Sequence, residues 1–119
     1  MSILTKVLGS LVALEFFYIL YLETFAPTSI RTGQVFKMSQ AVLKRTEVQT
    51  LFKNQGVYNG LLAVGLIYSL FFATASLELT RGILIYIILV AAYGSLTSDR
   101  KILFTQGGLA ILALISSFF

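Results

Sequence analysis

Two carboxylates stand where a chain of this composition rarely places them. Glu15 lies inside the apolar run Ile3 to Leu22, and Glu23 follows directly after it. An ionisable side chain within hydrocarbon costs at least ~2.5 kcal/mol at mid-bilayer and marks a functional site by default. Such a carboxyl must be protonated or find a donor nearby. Its natural chemistry is therefore exchange of a proton or cation, or orientation of a ligand that donates hydrogen bonds. Glu15 and Glu23 make a poor acid–base pair, because eight residues of helix separate them by ~12 Å of rise, too far for one substrate atom to touch both. The sequence has no cysteine and no histidine. That removes disulfides, thiolates, the commonest metal ligand and the commonest general base. No nucleophile motif, phosphate loop or metal cluster appears, so neither a metal nor a cofactor is expected.

The remaining polar candidates are amides, hydroxyls and phenols. Tyr18 sits one turn after Glu15. A second apolar run opens with Asn54-Gln55-Gly56-Val57-Tyr58-Asn59-Gly60. Gln55 and Asn59, four apart, share a helical face. Gly56 and Gly60 have the spacing of a membrane helix-packing motif, with Gly65 further on. A third run ends in Tyr93-Gly94-Ser95-Leu96-Thr97, and a fourth begins with Thr105-Gln106-Gly107-Gly108. The candidate ligand-binding set is thus Glu15, Tyr18, Glu23, Asn54, Gln55, Tyr58, Asn59, Tyr93, Thr97 and Gln106. The plainer role for the uncharged members is stitching between membrane helices, at ~0.6 kcal/mol per hydrogen bond. Gln106 taken alone reads first as such glue. Tyr21, Tyr68 and Tyr86 read as interfacial or packing aromatics.

These residues need elements to hold them, and composition says which. The 119-residue chain is 57% hydrophobic and 12% charged, with mean hydropathy +0.88. A soluble domain of this size buries only ~60–70% of its unfolded surface and could not hide so much apolar area; lipid is the fitting solvent. Four runs, about 3–22, 56–75, 82–96 and 102–119, each approach the ~20 residues that cross ~30 Å of hydrocarbon as a helix. Their patterns do not alternate as barrel strands do. The expectation is an all-α, polytopic four-transmembrane-helix bundle forming a single membrane domain over 1–119. The first run is read as a retained span, because Glu15, Phe16 and Phe17 interrupt it and no small-x-small cleavage site follows.

Tight turns are expected at Leu77 to Arg81 and Thr97 to Lys101, and a long connection at 24–53. Within that connection Val35, Met38 and Val42 share a side opposite Lys37, Lys44 and Arg45. This predicts one amphipathic helix over Val35 to Arg45, lying in the headgroup plane with its cations among lipid phosphates. A short helix packed beneath the bundle would give the same pattern. Thr46 with Gln49 could cap a second short helix leading into span two.

Lysine and arginine set the orientation. The amino-terminal end and the second connection hold Lys6 and Arg81. The first and third hold Arg31, Lys37, Lys44, Arg45, Lys53, Arg100 and Lys101. Cations stay in the cytoplasm, so both termini are expected outside the inner membrane. The net charge of +4 fits an anionic inner leaflet; no dense basic patch interleaved with aromatics suggests nucleic acid. In this orientation the candidate set gathers in the cytoplasmic half, and the outer half should be nearly all apolar, closed by Leu, Ile and Phe. Glu15 should find its partner in Asn59 or Gln106.

Three functions fit. The leading one binds or transports a small, partly apolar molecule through a polar pocket open to the cytoplasm, as a homo-oligomer because four short helices make no wide path. The second is a membrane enzyme acting on a lipid or isoprenoid. The third is an accessory subunit of a larger membrane complex.

The stretches Ala13 to Phe25, Phe52 to Gly60, Tyr93 to Thr97 and Gln106 to Ala110 together resemble the domain-of-unknown-function family numbered 1304, over nearly the whole chain. The asparagine-glutamine-glycine block is the most specific part. The resemblance implies a small four-helix integral membrane protein and brings no activity with it. Members often carry a histidine after the first carboxylate, where this chain has Phe16, and a proline before the span-four alanine, where it has Leu109. Histidine-dependent chemistry therefore has no residue to carry it here.

Overall fold

A computed structural model describes residues 1–97 and 101–119, and these contain helices and no strand. Helix α1 spans Ile3–Leu20 and runs into a π-helical turn, Tyr21–Phe25. Then come α2 (Ile30–Phe36), α3 (Gln40–Leu43), α4 (Thr46–Phe71), α5 (Ser76–Thr97), α6 (Ile102–Thr105) and α7 (Gly108–Ser116). Among the described residues two stretches, Ile3–Phe25 and Ser76–Thr97, are long and apolar enough to cross a membrane. The chain forms two compact units: a contiguous one, Phe16–Leu62, and a split one, Met1–Glu15 with Ala63–Phe119.

In the contiguous unit the chain leaves α1 because Pro27 forbids helical geometry at Ala26, which adopts φ −134°, ψ 49°. The freed carbonyls are not left bare. Ala26 N–H bonds Tyr21 O at 3.0 Å, and the buried Thr32 hydroxyl donates toward Ala26 O at 2.6 Å and Leu22 O at 3.2 Å. Ser29 caps α2 through Thr32 N–H, and Gln40 Nε2 reaches back to Ser29 O. Phe16, Ile19, Leu22 and Leu43 are buried here, and the Phe36 and Phe52 rings meet at 5.2 Å.

The single amphipathic helix expected over Val35 to Arg45 is not formed. Two short helices replace it, broken at Lys37, whose φ of 56° is left-handed. The break follows from capping: Met38 N–H closes the end of α2 on Gly33 O, and the Ser39 hydroxyl accepts from Val42 N–H to begin α3. The second short helix expected from Thr46 is instead the first part of α4. Glu47 lies in the first turn, where its charge suits the helix dipole, and the Gln49 amide donates to Lys44 O at 3.1 Å.

In the split unit α5 packs against α6 and α7. Val12, Ala13, Ala63, Leu66, Leu70, Leu84, Ile87, Ala91, Ala110 and Ala113 are buried. Gly9 lies under the Leu70 methyls, where a Cβ would come to 2.9 Å.

Three expectations about this part are corrected. The turn expected at Leu77 to Arg81 lies at residues 72–75, because the Ser76 hydroxyl donates to Ser69 O at 2.5 Å and starts α5 early. Glu78 and Arg81 sit in its opening turns. The fourth apolar run is not one helix. It is interrupted at Gln106 and Gly107, where the glycine pair Gly107-Gly108 makes continuation unfavourable, each helical glycine costing ~1 kcal/mol against alanine. The part expected to face outward and to be nearly all apolar contains buried hydroxyls: Thr5, Ser69, Thr80, Ser116 and Ser117. Of the turn expected at Thr97 to Lys101, residues 98–100 lie outside the described residues, Arg100 among them.

Candidate functional site

The contiguous unit holds a buried carboxylate. Glu23 is fully enclosed, in the middle of the π-helical turn. Such turns are rare and recur at functional sites. Its Oε1 accepts from Asn59 Nδ2 at 2.6 Å, while Oε2 is buried with no hydrogen-bond partner. No cationic side chain pairs with Glu23 among the described residues. The turn and α4 meet tightly here: the Thr24 hydroxyl donates to Lys53 O at 3.0 Å, and a Cβ on Gly56 would strike Thr24 Oγ1 and come within 3.0 Å of Glu23 Cβ. Gly60 similarly lies under Leu20. The Gly56 and Gly60 spacing is what lets Asn59 reach the carboxylate.

The other candidates in this unit stand apart from the pair. Asn54, Gln55 and Tyr58 are exposed, and Asn54 Nδ2 is spent on the Thr50 carbonyl of its own helix. The Tyr18 hydroxyl accepts from Arg31 Nε at 3.1 Å. Arg31, read from sequence only as a loop cation, is therefore the residue missed. A pairing between α1 and α2, 13 residues apart across the turn, carries no local signal.

In the split unit Glu15 is half-buried, and its Oε1 is enclosed without a hydrogen-bond partner. Asn59, the partner expected for Glu15, gives its amide to Glu23 instead. Tyr93 and Thr97 are exposed, the Thr97 hydroxyl bonding back to Tyr93 O. Gln106 is half-buried at the break between α6 and α7.

The buried hydroxyls of this unit are paired. Thr5 Oγ1 meets Ser116 Oγ at 2.9 Å, and Ser69 Oγ meets Thr80 Oγ1 at 2.9 Å. Ser69 and Ser116 also donate to carbonyls of their own helices. Arg81 donates to the Ser117 hydroxyl and carbonyl and lies 4.1 Å from the Phe118 ring centre. A cavity of ≈ 700 Å³ beside the start of α5, lined by Thr74, Ser76, Glu78, Arg81, Gly82 and Ile85 among others, contains none of the candidate residues.

Comparison with known proteins fixes the family. The model of the family described as "Protein of unknown function (DUF1304)" matches residues 10–118. The chain belongs to that family. It is similar to the uncharacterized protein YpaA of Lactococcus lactis subsp. lactis (strain IL1403), at 68% identity over 119 residues spanning all of both chains. No solved structure matches.

Proposed function

We propose that this member of the family is a multi-pass inner-membrane protein that binds a small, partly apolar molecule, with the Glu23 carboxylate as its polar anchor. The observation that carries the reading is the half-used carboxylate: fully buried, one oxygen held by Asn59, the other unbonded. A group in that state is unfavourable unless a proton or a donor completes it. Retaining it within a π-helical turn is what a binding site requires and what packing alone does not.

Lipid as the surrounding solvent is supported by the exposed apolar side chains. Ile3, Leu96 and Phe119 are 81%, 88% and 97% exposed, and α5 alone exposes Ile85, Tyr86, Leu89, Val90, Tyr93 and Leu96. Apolar surface this extensive on a monomer calls for a partner phase. In the proposed topology α1, α4, α5 and the broken α6–α7 segment make the crossings. Irregular backbone at membrane depth is tolerated when it is packed against protein, as α6 and α7 are against α5. Both termini are placed outside, following the cation distribution, and carriage across the membrane would use a homodimer.

Native mass spectrometry of detergent-extracted protein tests the binding. A small molecule should co-purify with the wild type and be lost from Glu23→Gln; its equal retention by both sinks Glu23 as the anchor. The cysteine-free sequence makes topology directly testable. A cysteine at Ser2 should react with an impermeant thiol reagent on intact cells, and one at the exposed Ala41 should not; the reverse pattern overturns the orientation.

A further inference from the structure

We infer that the ligand taken by the Glu23 site is a primary or secondary ammonium, a compact cation with N–H donors, rather than an anion, a neutral alcohol or a quaternary ammonium. The inference rests on the binding reading above and names its chemistry.

Three features of the site select this class. The first is charge. Glu23 brings a carboxylate into a fully buried position with no cationic side chain beside it. Both arginines of the same unit are otherwise placed: Arg31 donates to the Tyr18 hydroxyl, and Arg45 pairs with Glu47 at 3.3 Å in a solvent-exposed bridge. An incoming ammonium would supply the missing countercharge. An anion would add repulsion, and an alcohol would leave the charge uncompensated.

The second feature is donor count. Asn59 Nδ2 already occupies Oε1 at 2.6 Å. The vacant acceptor is Oε2, which calls for an N–H or O–H on the ligand, and a charge-assisted N–H is the stronger. The third is size. Oε2 is closed off from solvent, and the backbone of α4 approaches so closely at Gly56 that a single added Cβ would collide with the turn. A trimethylammonium head has no N–H to give and is bulkier than an –NH₃⁺ head at an oxygen already shut from solvent. An –NH₃⁺ head on an apolar tail needs the least displacement, and its tail can rest against the apolar surface of the helices.

The test uses the full-length protein in nanodiscs of zwitterionic lipid, with thermal unfolding read during titration of four probes: n-hexylammonium, n-hexanol, n-hexyltrimethylammonium and hexanoate. Hexylammonium should stabilise the wild type saturably, with apparent affinity about 10-fold or more above hexanol, and the other two should have no effect. Glu23→Gln should lose that preference, and Glu78→Gln, an exposed charge at the start of α5, should keep it. Equal stabilisation by hexanol and hexylammonium overturns the ammonium assignment while leaving the binding reading in place. Stabilisation by hexanoate or by the trimethylammonium probe overturns it likewise. If no probe acts, the ammonium assignment fails, and the co-purification experiment decides the binding reading separately. Should Glu23→Gln not fold, the ranking of the four probes on the wild type still decides.

Discussion

The buried hydroxyls of the split unit and the buried carboxylate of the contiguous one are bonded differently. In the split unit the buried hydroxyls close on one another: Thr5 with Ser116, Ser69 with Thr80, and Ser117 under Arg81. Each hydroxyl can donate once and accept more than once, and two of them also return a bond to a carbonyl of their own helix. In the contiguous unit Glu23 has one donor for a group that can accept about four bonds, and its second oxygen has none. The difference separates two uses of polarity among apolar helices. Hydroxyls that satisfy each other stitch; a carboxylate left half-bonded is held for something else. Polarity alone would have ranked the two groups together, and the bonding of each atom tells them apart.

If that distinction is right, the largest effect should come from removing the one donor Glu23 has. Asn59→Ala leaves both carboxylate oxygens buried and bare, and breaking a buried charged interaction from one side costs about 3 kcal/mol or more. Chemical unfolding in detergent should show a loss of that order. Replacing both groups, Glu23→Leu with Asn59→Leu, should cost much less than the sum of the single changes, because no charge is then stranded. A loss below about 1 kcal/mol for Asn59→Ala would put Glu23 in the same class as the hydroxyls and end the comparison.

The second effect probes how tightly the carboxylate is enclosed. Gly56→Ala drives a methyl group into Thr24 Oγ1 and toward the Thr24 backbone nitrogen. Backbone cannot swing aside, so overpacking of about 1–3 kcal/mol is expected. Gly60→Ala meets only the end of the Leu20 side chain, which can turn, and should cost less. Equal losses at the two glycines would show that the close approach at Glu23 is not what Gly56 serves.

The sequence made the helical class and the family legible, for identifiable reasons. Apolar runs near span length are visible without tertiary information, which is why α1 begins at Ile3 as expected. The Gly56 and Gly60 spacing correctly flagged the middle of α4 as a place of close approach. What periodicity could not reveal was which carboxylate Asn59 meets. Glu15, deep in the run, looked the better partner, yet the π-helical turn carries Glu23 inward, and nothing local in Tyr21-Leu22-Glu23-Thr24-Phe25 marks that turn. The helix break at Lys37 was overlooked because the apolar stripe continues through it, while Ser39 caps a new helix. The hydroxyl pairs were invisible because Thr5 and Ser116 are 111 residues apart.

A smaller effect tests the stitching side of the comparison. Thr80→Val keeps the shape of a buried side chain and removes its hydroxyl. Ser69 retains its bond to Leu66 O, so no polar atom is stranded. The expected loss is about 0.6 kcal/mol, the average for an interhelical hydrogen bond among membrane helices. Ligand stabilisation at Glu23 should be unchanged. A loss of several kcal/mol would mean that the hydroxyl pairs carry more than stitching.

The smallest effect is expected at Gly82, and its sign is informative. Gly56 and Gly82 are both helix-interior glycines, one in each unit, but a Cβ on Gly82 meets nothing within 4 Å. With no steric penalty, Gly82→Ala leaves only the helix-propensity term, which favours alanine by up to ~1 kcal/mol. The variant should therefore unfold at the same or slightly higher denaturant concentration and elute at the wild-type volume on size exclusion. Gly82 also lines the open cavity beside α5 together with Ile85. If alanine there instead destabilised the protein, or shifted its elution, the bare face of Gly82 would be covered by a second molecule in solution. Gly82 would then serve close approach to a neighbouring chain, as Gly9 does to Leu70 and Gly56 to the Glu23 turn within the chain. Against a neutral or favourable result, close approach of this kind stays confined to the sites where a Cβ meets a neighbour, as at Gly56.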